Sequence, residues 1–140
     1  MQRGFQLFEI AVAISLLLIL AGWSVLSTQR FLAAHKLNAA CLAIVSAATA
    51  ARSIAMTRNT DIQLATRSLS GEFGLTPRHQ EPASWKSLPA GVSFASVPAR
   101  SVTFHGRGTA APAGTLRITN ESGTLRIVVA VSGRVRWVRE

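Results

Sequence analysis

Cysteine and clustered catalytic residue types are scarce in this sequence. It has one cysteine, Cys41, so no internal disulfide can form, and no CxxC or Cys/His cluster of the kind that binds zinc is present. The three histidines are scattered, and the six acidic residues form no convincing carboxylate pair. Neither an HExxH metal motif nor a G-x-S-x-G nucleophile turn occurs. These absences predict a protein that is not an enzyme and that holds no metal or cofactor.

Charge is absent from a long segment near the start of the chain. No charged residue lies between Ile10 and Gln29, and residues 10–26 are almost uniformly apolar. With its flanks this run approaches the ~20 residues that a helix needs to cross a bilayer. No small-residue cleavage site follows it, so we expect the segment to be retained in the mature protein. Arg3 before the run predicts a single pass with the N-terminus in the cytoplasm and the remainder of the chain across the membrane.

Glu9 is a carboxylate placed one residue before the apolar run. Such a group is costly if it enters hydrocarbon, which makes it a functional candidate. The alternative is a charge that stays at the headgroup level of the membrane. Residues 3–9 read Arg-Gly-Phe-Gln-Leu-Phe-Glu, a basic residue and Gly, then Phe, then Glu at the fifth position after the Gly.

This pattern, followed by an unbroken apolar run, closely resembles the prepilin processing site of type IV pilins and type II secretion pseudopilins. The resemblance implies that a prepilin peptidase cuts between Gly4 and Phe5 and that Phe5 becomes N-methylated. It also implies that Glu9 pairs with the N-terminal amine of a neighbouring subunit in a filament, which satisfies a buried carboxylate. The implied location is the bacterial inner membrane, with the head in the periplasm, and a pilus or pseudopilus after assembly.

The helical pattern continues beyond the apolar run. Residues 29–57 contain neither proline nor glycine and are rich in alanine, which favours a slim helix. Apolar residues recur at spacings of four and three and define one helix face, formed by Leu37, Cys41, Ile44, Ala48, Ala51 and Ala55. We expect one helix of about 50 residues whose second half packs on the head.

The rest of the chain is polar, punctuated by glycine and proline, and rich in short alternating runs. These predict antiparallel strands within residues 90–139, a weak first strand at 61–65, a four-residue hairpin loop at Asn120–Gly123 and a loop from Ser70 to Pro89 that contributes Trp85 to the core. The predicted fold is α+β: a long N-terminal α-helix packed against a small antiparallel β-sheet head. The expected divisions are residues 1–4 (leader), 5–28 (transmembrane and assembly helix), 29–57 (helix packed on the head) and 58–140 (head).

The head also resembles that of the FimT/GspH-type minor pilins and pseudopilins. The similarity is carried by residues 51–59 at the helix end, by residues 114–118 and 126–129, and by the closing segment Ser132-Gly133-Arg134-Val135-Arg136. It implies a minor subunit of a type IV pilus or a type II secretion pseudopilus, with other pilin or pseudopilin subunits as partners. Many members carry cysteines in the head, whereas this chain has none there.

Arginine dominates the charge of the head. The formal net charge is +9, and residues 58–140 hold eleven basic and five acidic residues, which gives +6. Residues 100–140 contain seven arginines and no lysine, and the planar guanidinium suits phosphate. The Gly-Arg-x-Arg segment is similar to a motif tied to DNA binding in FimT-like pilins. It predicts DNA contacts centred on Arg134 and Arg136, with neighbours at Arg126, Arg117, Arg107 and Arg139. The alternative is a solvated edge strand that resists sheet-to-sheet pairing.

Overall fold

One helix and eight strands make up the part of the chain that the computed structural model describes, namely the backbone of residues 2–140 and the side chains of residues 8–22 and 29–140. The helix α1 spans Gln2–Arg58. The strands are β1 (Ile62–Arg67), β2 (Glu72–Pro77), β3 (Lys86–Ser87), β4 (Ser93–Ser96), β5 (Val102–Phe104), β6 (Gly114–Asn120), β7 (Gly123–Val129) and β8 (Val135–Arg139). The chain divides into two compact units, Met1–Leu32 and Ala33–Glu140.

The predicted α+β class, with one long N-terminal helix and antiparallel strands, is confirmed. The helix ends where Asn59 adopts a left-handed backbone conformation, with φ of 48°. The amide of Thr60 then donates to the carbonyl of Ala55 over 3.1 Å, which is the six-to-one bond of a Schellman motif. Asparagine tolerates this conformation because its short polar side chain bonds locally.

The helix face predicted from the sequence is the face that the head buries. Its six residues are each no more than 1% exposed, and Ala40 joins them. Alanine at four of these positions lets the helix axis approach the sheets closely. The face meets Phe73, Phe104 and the buried side chains of β6 and β7 in one hydrophobic cluster. Burial of this apolar area is the main term that stabilises the head.

The strands form two antiparallel four-stranded sheets. The first has the order β3-β2-β1-β5 and the second the order β4-β6-β7-β8. In β6 and β7, buried residues alternate with half-buried ones, so each strand turns one face to the core and one outward. The division into two sheets was not part of the sequence-based prediction.

The sequence predicted a loop from Ser70 to Pro89. This prediction is wrong, because the segment contains β2 and β3. Phe73 and Thr76 of β2 are buried, and β2 pairs along its whole length with β1. Trp85 is also not a core residue: it is half-buried, and the Arg67 guanidinium lies 4.0 Å from the centre of its ring. Arg67 further binds Glu81 at 3.0 Å, so a cation takes the place of core packing for this indole.

The hairpin between β6 and β7 is tighter than predicted. Asn120 and Gly123 pair with each other, which leaves a loop of two residues, Glu121 and Ser122. The Asn120 side chain accepts a bond from the Ser122 amide at 2.8 Å and donates to the Ala33 carbonyl of α1 at 2.6 Å. One side chain therefore shapes the turn and fixes it to the helix.

Candidate assembly helix and arginine surface

The apolar stretch Phe8–Gly22 of α1 presents large hydrophobic side chains on every side. Nine of them are between 43% and 69% exposed, from Phe8 to Leu20, and five are consecutive, Leu16 to Leu20. A helix that is apolar all round is suited to lipid or to a bundle of similar helices and not to water. The one hydroxyl of this stretch, on Ser15, donates to the Ala11 carbonyl at 2.7 Å, so it needs no further partner.

Glu9 is the one charged residue of this stretch, and its side chain is exposed. The predicted processing site, Gly4 and Phe5, lies outside the residues whose side-chain surroundings the structure describes. Glu9 stands among exposed apolar side chains, and a carboxylate in such a segment is a functional candidate.

Among the described residues, the segment of α1 that is long and apolar enough to cross a membrane, by length and composition alone, is Gln29–Arg58, whereas the described apolar stretch Phe8–Gly22 is shorter. The hydrophobic character of Gln29–Arg58 has a different cause, because residues such as Leu37, Ile44 and Ala51 on one face form the core of the head. The exposed apolar surface of Phe8–Gly22, and not the buried face of Gln29–Arg58, is therefore the candidate assembly surface.

Two loops that carry candidate arginines meet at one junction. The Arg52 Nε of α1 donates to the carbonyl of Gly108 at 2.9 Å. Gly133 packs so tightly on the same carbonyl that a Cβ would collide with it, and both glycines have left-handed φ values, 79° and 74°. Arg107 and Arg134 are the neighbours of these glycines in the chain, and both are exposed. Arg52 thus joins the two loops that carry them.

Arg136 lies on the outer face of the second sheet. It pairs with Val128 of β7, and it is exposed on β8, the edge strand of the sheet. The next residue, Trp137, pairs with buried Ile127 and faces the helix, where it lines a groove of about 190 Å³ with Asn38, Cys41 and Leu42. Arg136 and Trp137 therefore occupy opposite faces of the sheet, as expected for adjacent strand residues.

Arg117 and Arg126 are directly opposite each other on β6 and β7. Like charges in this position repel. The Glu140 carboxylate lies between them: its Oε1 atom is 3.2 Å from Arg117 Nε and 3.4 Å from Arg126 Nε. These two arginines are therefore already paired with an anion, whereas the sequence analysis treated them like the others.

The sixth candidate, Arg139, is engaged in a backbone contact. Its Nη2 donates to the Ser122 carbonyl at 3.1 Å, which ties β8 to the β6–β7 turn. The structure thus sorts the six arginines into two groups. Three are bound within the head (Arg117, Arg126 and Arg139), and three are exposed with no carboxylate partner among the described side chains (Arg107, Arg134 and Arg136).

Most acidic residues of the head serve as internal counter-ions. Asp61 lies 2.7 Å from His105 Nδ1 and 3.6 Å from Arg78, while Glu72 and Glu81 both bind Arg67. Glu140 is likewise held by two arginines. Because these carboxylates are paired within the head, the remaining arginines leave an excess of positive charge on its surface. The sequence analysis did not identify Arg52 or Glu140 as site residues. Arg52 acts by joining two loops and Glu140 by lying between paired strands, and neither arrangement can be read from a local sequence pattern.

Solved structures with the same fold come from two machines. The minor pseudopilin EpsH of the type 2 secretion system of Vibrio cholerae is similar with a TM-score of 0.60 and 11% identity, over 74% of this chain and 97% of that one. The type IV minor pilin FimU of Pseudomonas aeruginosa is similar with a TM-score of 0.60 and 18% identity, over 77% of this chain and 92% of that one. At these identities the likeness establishes the fold.

The sequence of the head establishes the family. No curated protein sequence matches the chain. The family model described as type II transport protein GspH matches residues 40–133, which is well over half of the chain and includes most of the buried helix face and strands β1 to β7. The chain therefore belongs to the GspH family of type II transport proteins.

Proposed function

We propose that this chain is a minor subunit of a type IV pilus or a type II secretion pseudopilus and that it assembles through its N-terminal helix. The observation that carries the proposal is the combination of a GspH-family head with the all-round apolar surface of Phe8–Gly22. The similar solved structures are minor subunits of both kinds of machine, which supports this class and leaves both machines as candidates.

The proposal includes processing of the N-terminus. A prepilin peptidase cuts between Gly4 and Phe5, Phe5 is N-methylated, and Glu9 pairs with the N-terminal amine of a neighbouring subunit. The support is the sequence of residues 3–9 and the position of Glu9 as the one carboxylate in an apolar stretch. An ion pair offsets much of the cost of placing that carboxylate in a nonpolar filament core.

Mass spectrometry of the protein extracted from membranes of its native host tests this. We expect a mature chain that begins at methylated Phe5. Intact Met1, or cleavage beyond Leu26, contradicts the proposal. The variant Glu9→Gln separates the two steps, because it is expected to be processed and to insert in the membrane while it fails to enter filaments.

We propose the inner membrane as the site of the unassembled subunit, with residues 5–28 in the bilayer and the head, residues 58–140 with the helix segment 29–57, in the periplasm. Arg3 on the cytoplasmic side supports this orientation. Protease added to spheroplasts should digest the head, whereas an inward-facing head stays protected. Deletion of the gene then identifies the machine through loss of exoprotein secretion, of pili and twitching, or of DNA uptake.

A second candidate function is DNA binding, favoured by one observation. Arg107, Arg134 and Arg136 are exposed and lack a carboxylate partner in the described part of the head, and the Gly108–Gly133 contact brings the first two loops together. Guanidinium groups on adjoining loops suit phosphates, and no element of the described head resembles a recognition helix for base edges. Binding should therefore be insensitive to sequence and strongly dependent on salt.

Titration of the full chain in non-ionic detergent with duplex DNA tests this candidate. The variant Arg134→Gln/Arg136→Gln should lower the log–log salt slope by about 1.8, which is about 0.9 for each lost phosphate contact. Lys86→Gln/Arg100→Gln is a matched control, since it removes the same charge from two exposed residues elsewhere on the head. Equal loss in both variants would mean that only net charge matters, and absence of binding at low salt leaves the arginines as a solvated edge.

A further inference from the structure

The cross-strand pair Arg117 and Arg126 has the features of an anion site that is occupied by the protein's own carboxylate. The two residues are opposite each other on the outer face of the second sheet, and each side chain is about two-fifths exposed. Arginines in this register repel unless an anion lies between them. Glu140 supplies that anion, and its side chain is 36% exposed, so solvent reaches the site from one side.

Glu140 satisfies only part of this site. Both of its oxygens are used by Arg117 Nε, at 3.2 and 3.3 Å. Arg126 Nε is left at 3.4 Å from Oε1, and it is a buried atom that makes no hydrogen bond to any described group. A buried donor without an acceptor is costly and points to a missing ligand oxygen. An anion with more oxygens than a carboxylate serves two guanidinium groups better.

The surroundings favour a phosphate of a polyanion over a single acidic side chain. Arg136 lies on the same outer face as Arg126, one strand further and two residues along, because Val128 pairs with Arg136 and Arg126 with Val138. Arg117 and Arg126 are direct neighbours on strands ~4.8 Å apart, and Arg136 is a diagonal neighbour of Arg126 at ~7–8 Å, so the three arginines form a continuous basic strip across β6, β7 and β8. A single acidic side chain of a partner would bind at one of these arginines and leave the other two without a ligand.

We propose that Arg117 and Arg126 form a phosphate site on the second sheet and that Glu140 is an internal competitor, which a nucleic-acid phosphate displaces. This inference rests on the DNA-binding function proposed above, and it adds a site and its regulation. Bound DNA would then extend from Arg134 and Arg136 across the sheet face. An anion that does not displace the Glu140 carboxylate would be excluded from the site formed by Arg117 and Arg126.

The test compares the full-length wild type with Glu140→Gln in non-ionic detergent, titrated with duplex DNA at several salt concentrations. Because no internal carboxylate then competes with the DNA, Glu140→Gln should bind more tightly at low salt, on the order of tenfold. Glu121→Gln is the matched control, because it removes the same charge from the exposed turn of the same hairpin. It should leave the affinity nearly unchanged. Adding Arg117→Gln/Arg126→Gln to Glu140→Gln should remove this gain and lower the log–log slope by up to about 1.8, because two phosphate contacts are lost.

A second measurement needs no variant and guards against misfolding of Glu140→Gln. In wild-type protein, the Nε–H resonances of Arg117 and Arg126 should shift saturably as DNA is added. If DNA moves only the resonances of Arg107, Arg134 and Arg136, the inference is wrong while the DNA-binding function stands. The same holds if wild type binds and Glu140→Gln behaves like Glu121→Gln.

Three further outcomes are decisive. Binding by Glu140→Gln but not by wild type overturns the displacement, because no DNA phosphate then replaces Glu140 in the native chain. Binding by neither protein at low salt overturns both this inference and the DNA-binding function. Equally tight binding of Glu140→Gln to polyglutamate and to DNA overturns the phosphate assignment, because the site then serves an acidic protein partner.

Discussion

Cys41 illustrates how its surroundings set the chemistry of one residue. It lies on the buried face of α1 with 1% of its surface exposed. Burial disfavours the charged thiolate and raises the pKa of the thiol to about 11. Because the thiolate is the reactive form, Cys41 should resist alkylation near neutral pH as long as the head is folded.

The raised pKa of Cys41 leads to a prediction about pH. The folded head holds this proton more tightly than the unfolded chain, in which a thiol has a pKa near ~8.5. The resulting stability is complete below about pH 8.5 and is lost as the pH rises toward about 11. Cys41→Ala lacks the group, so the melting temperature of wild type should fall relative to that of the variant between about pH 8 and about pH 10.5. A constant difference over this range contradicts the prediction.

Gly133 carries a second prediction at this scale. Replacement by alanine places a Cβ on a left-handed backbone and also against the Gly108 carbonyl. Gly91 has a similar φ, 89°, but faces open space, so Gly91→Ala isolates the backbone cost of about 1–2 kcal/mol. Gly133→Ala should lower the free energy of unfolding by clearly more than this. Equal losses in chemical denaturation would show that the junction of the two loops adjusts freely.

Among the elements, the second half of α1 depends on small side chains. Ala48 is fully buried between the helix and the sheets, whereas Ala39 is exposed on the same helix. Ala48→Leu should therefore reduce the free energy of unfolding by about 1–3 kcal/mol through overpacking. Ala39→Leu adds the same side chain to solvent and should change it by no more than about 0.5 kcal/mol. Urea titration of both variants measures the difference, and equal stabilities would mean that the helix does not need its slim face.

The elements also show how far sequence reasoning reaches. The helix face and the strands from Ser93 onward follow from periodicity, because one side of each element is buried. Strand β2 was missed, since Gly74 and Pro77 gave it the composition of a turn. Gly74 is required because a Cβ at this position would lie 2.8 Å from Pro82 and from the Ser84 carbonyl oxygen, which come from a later segment of the chain. Trp85 was misjudged because the cation that covers it comes from β1.

For the whole molecule, the division into two compact units has a consequence for stability. Every described residue of the hydrophobic core lies in the unit Ala33–Glu140. A chain shortened to begin at Gln29 should thus melt within a few degrees of the full-length protein in detergent, because it keeps all of these core residues. Circular dichroism measures this, and a large fall in melting temperature would show that the first unit stabilises the head.

The candidate site was predictable only in part at this scale. Composition gave the arginine-rich end of the chain, and the position of Gly133 gave the turn before Arg134. The sequence could not show that Glu140 neutralises two of the six arginines, since that depends on the register of β6, β7 and β8. Likewise, the meeting of the Arg107 and Arg134 loops depends on Arg52, which lies far away in the chain.

The stacking of Arg67 on Trp85 makes this indole an optical reporter. Its emission depends on a guanidinium 4.0 Å from the ring centre and on a half-buried environment. If the other two tryptophans are replaced by phenylalanine, the remaining fluorescence reports only on the segment around Glu81, which Arg67 holds against the first sheet. A red shift at temperatures below the melting of the helix signal would then record the local opening of this segment as a separate, earlier event.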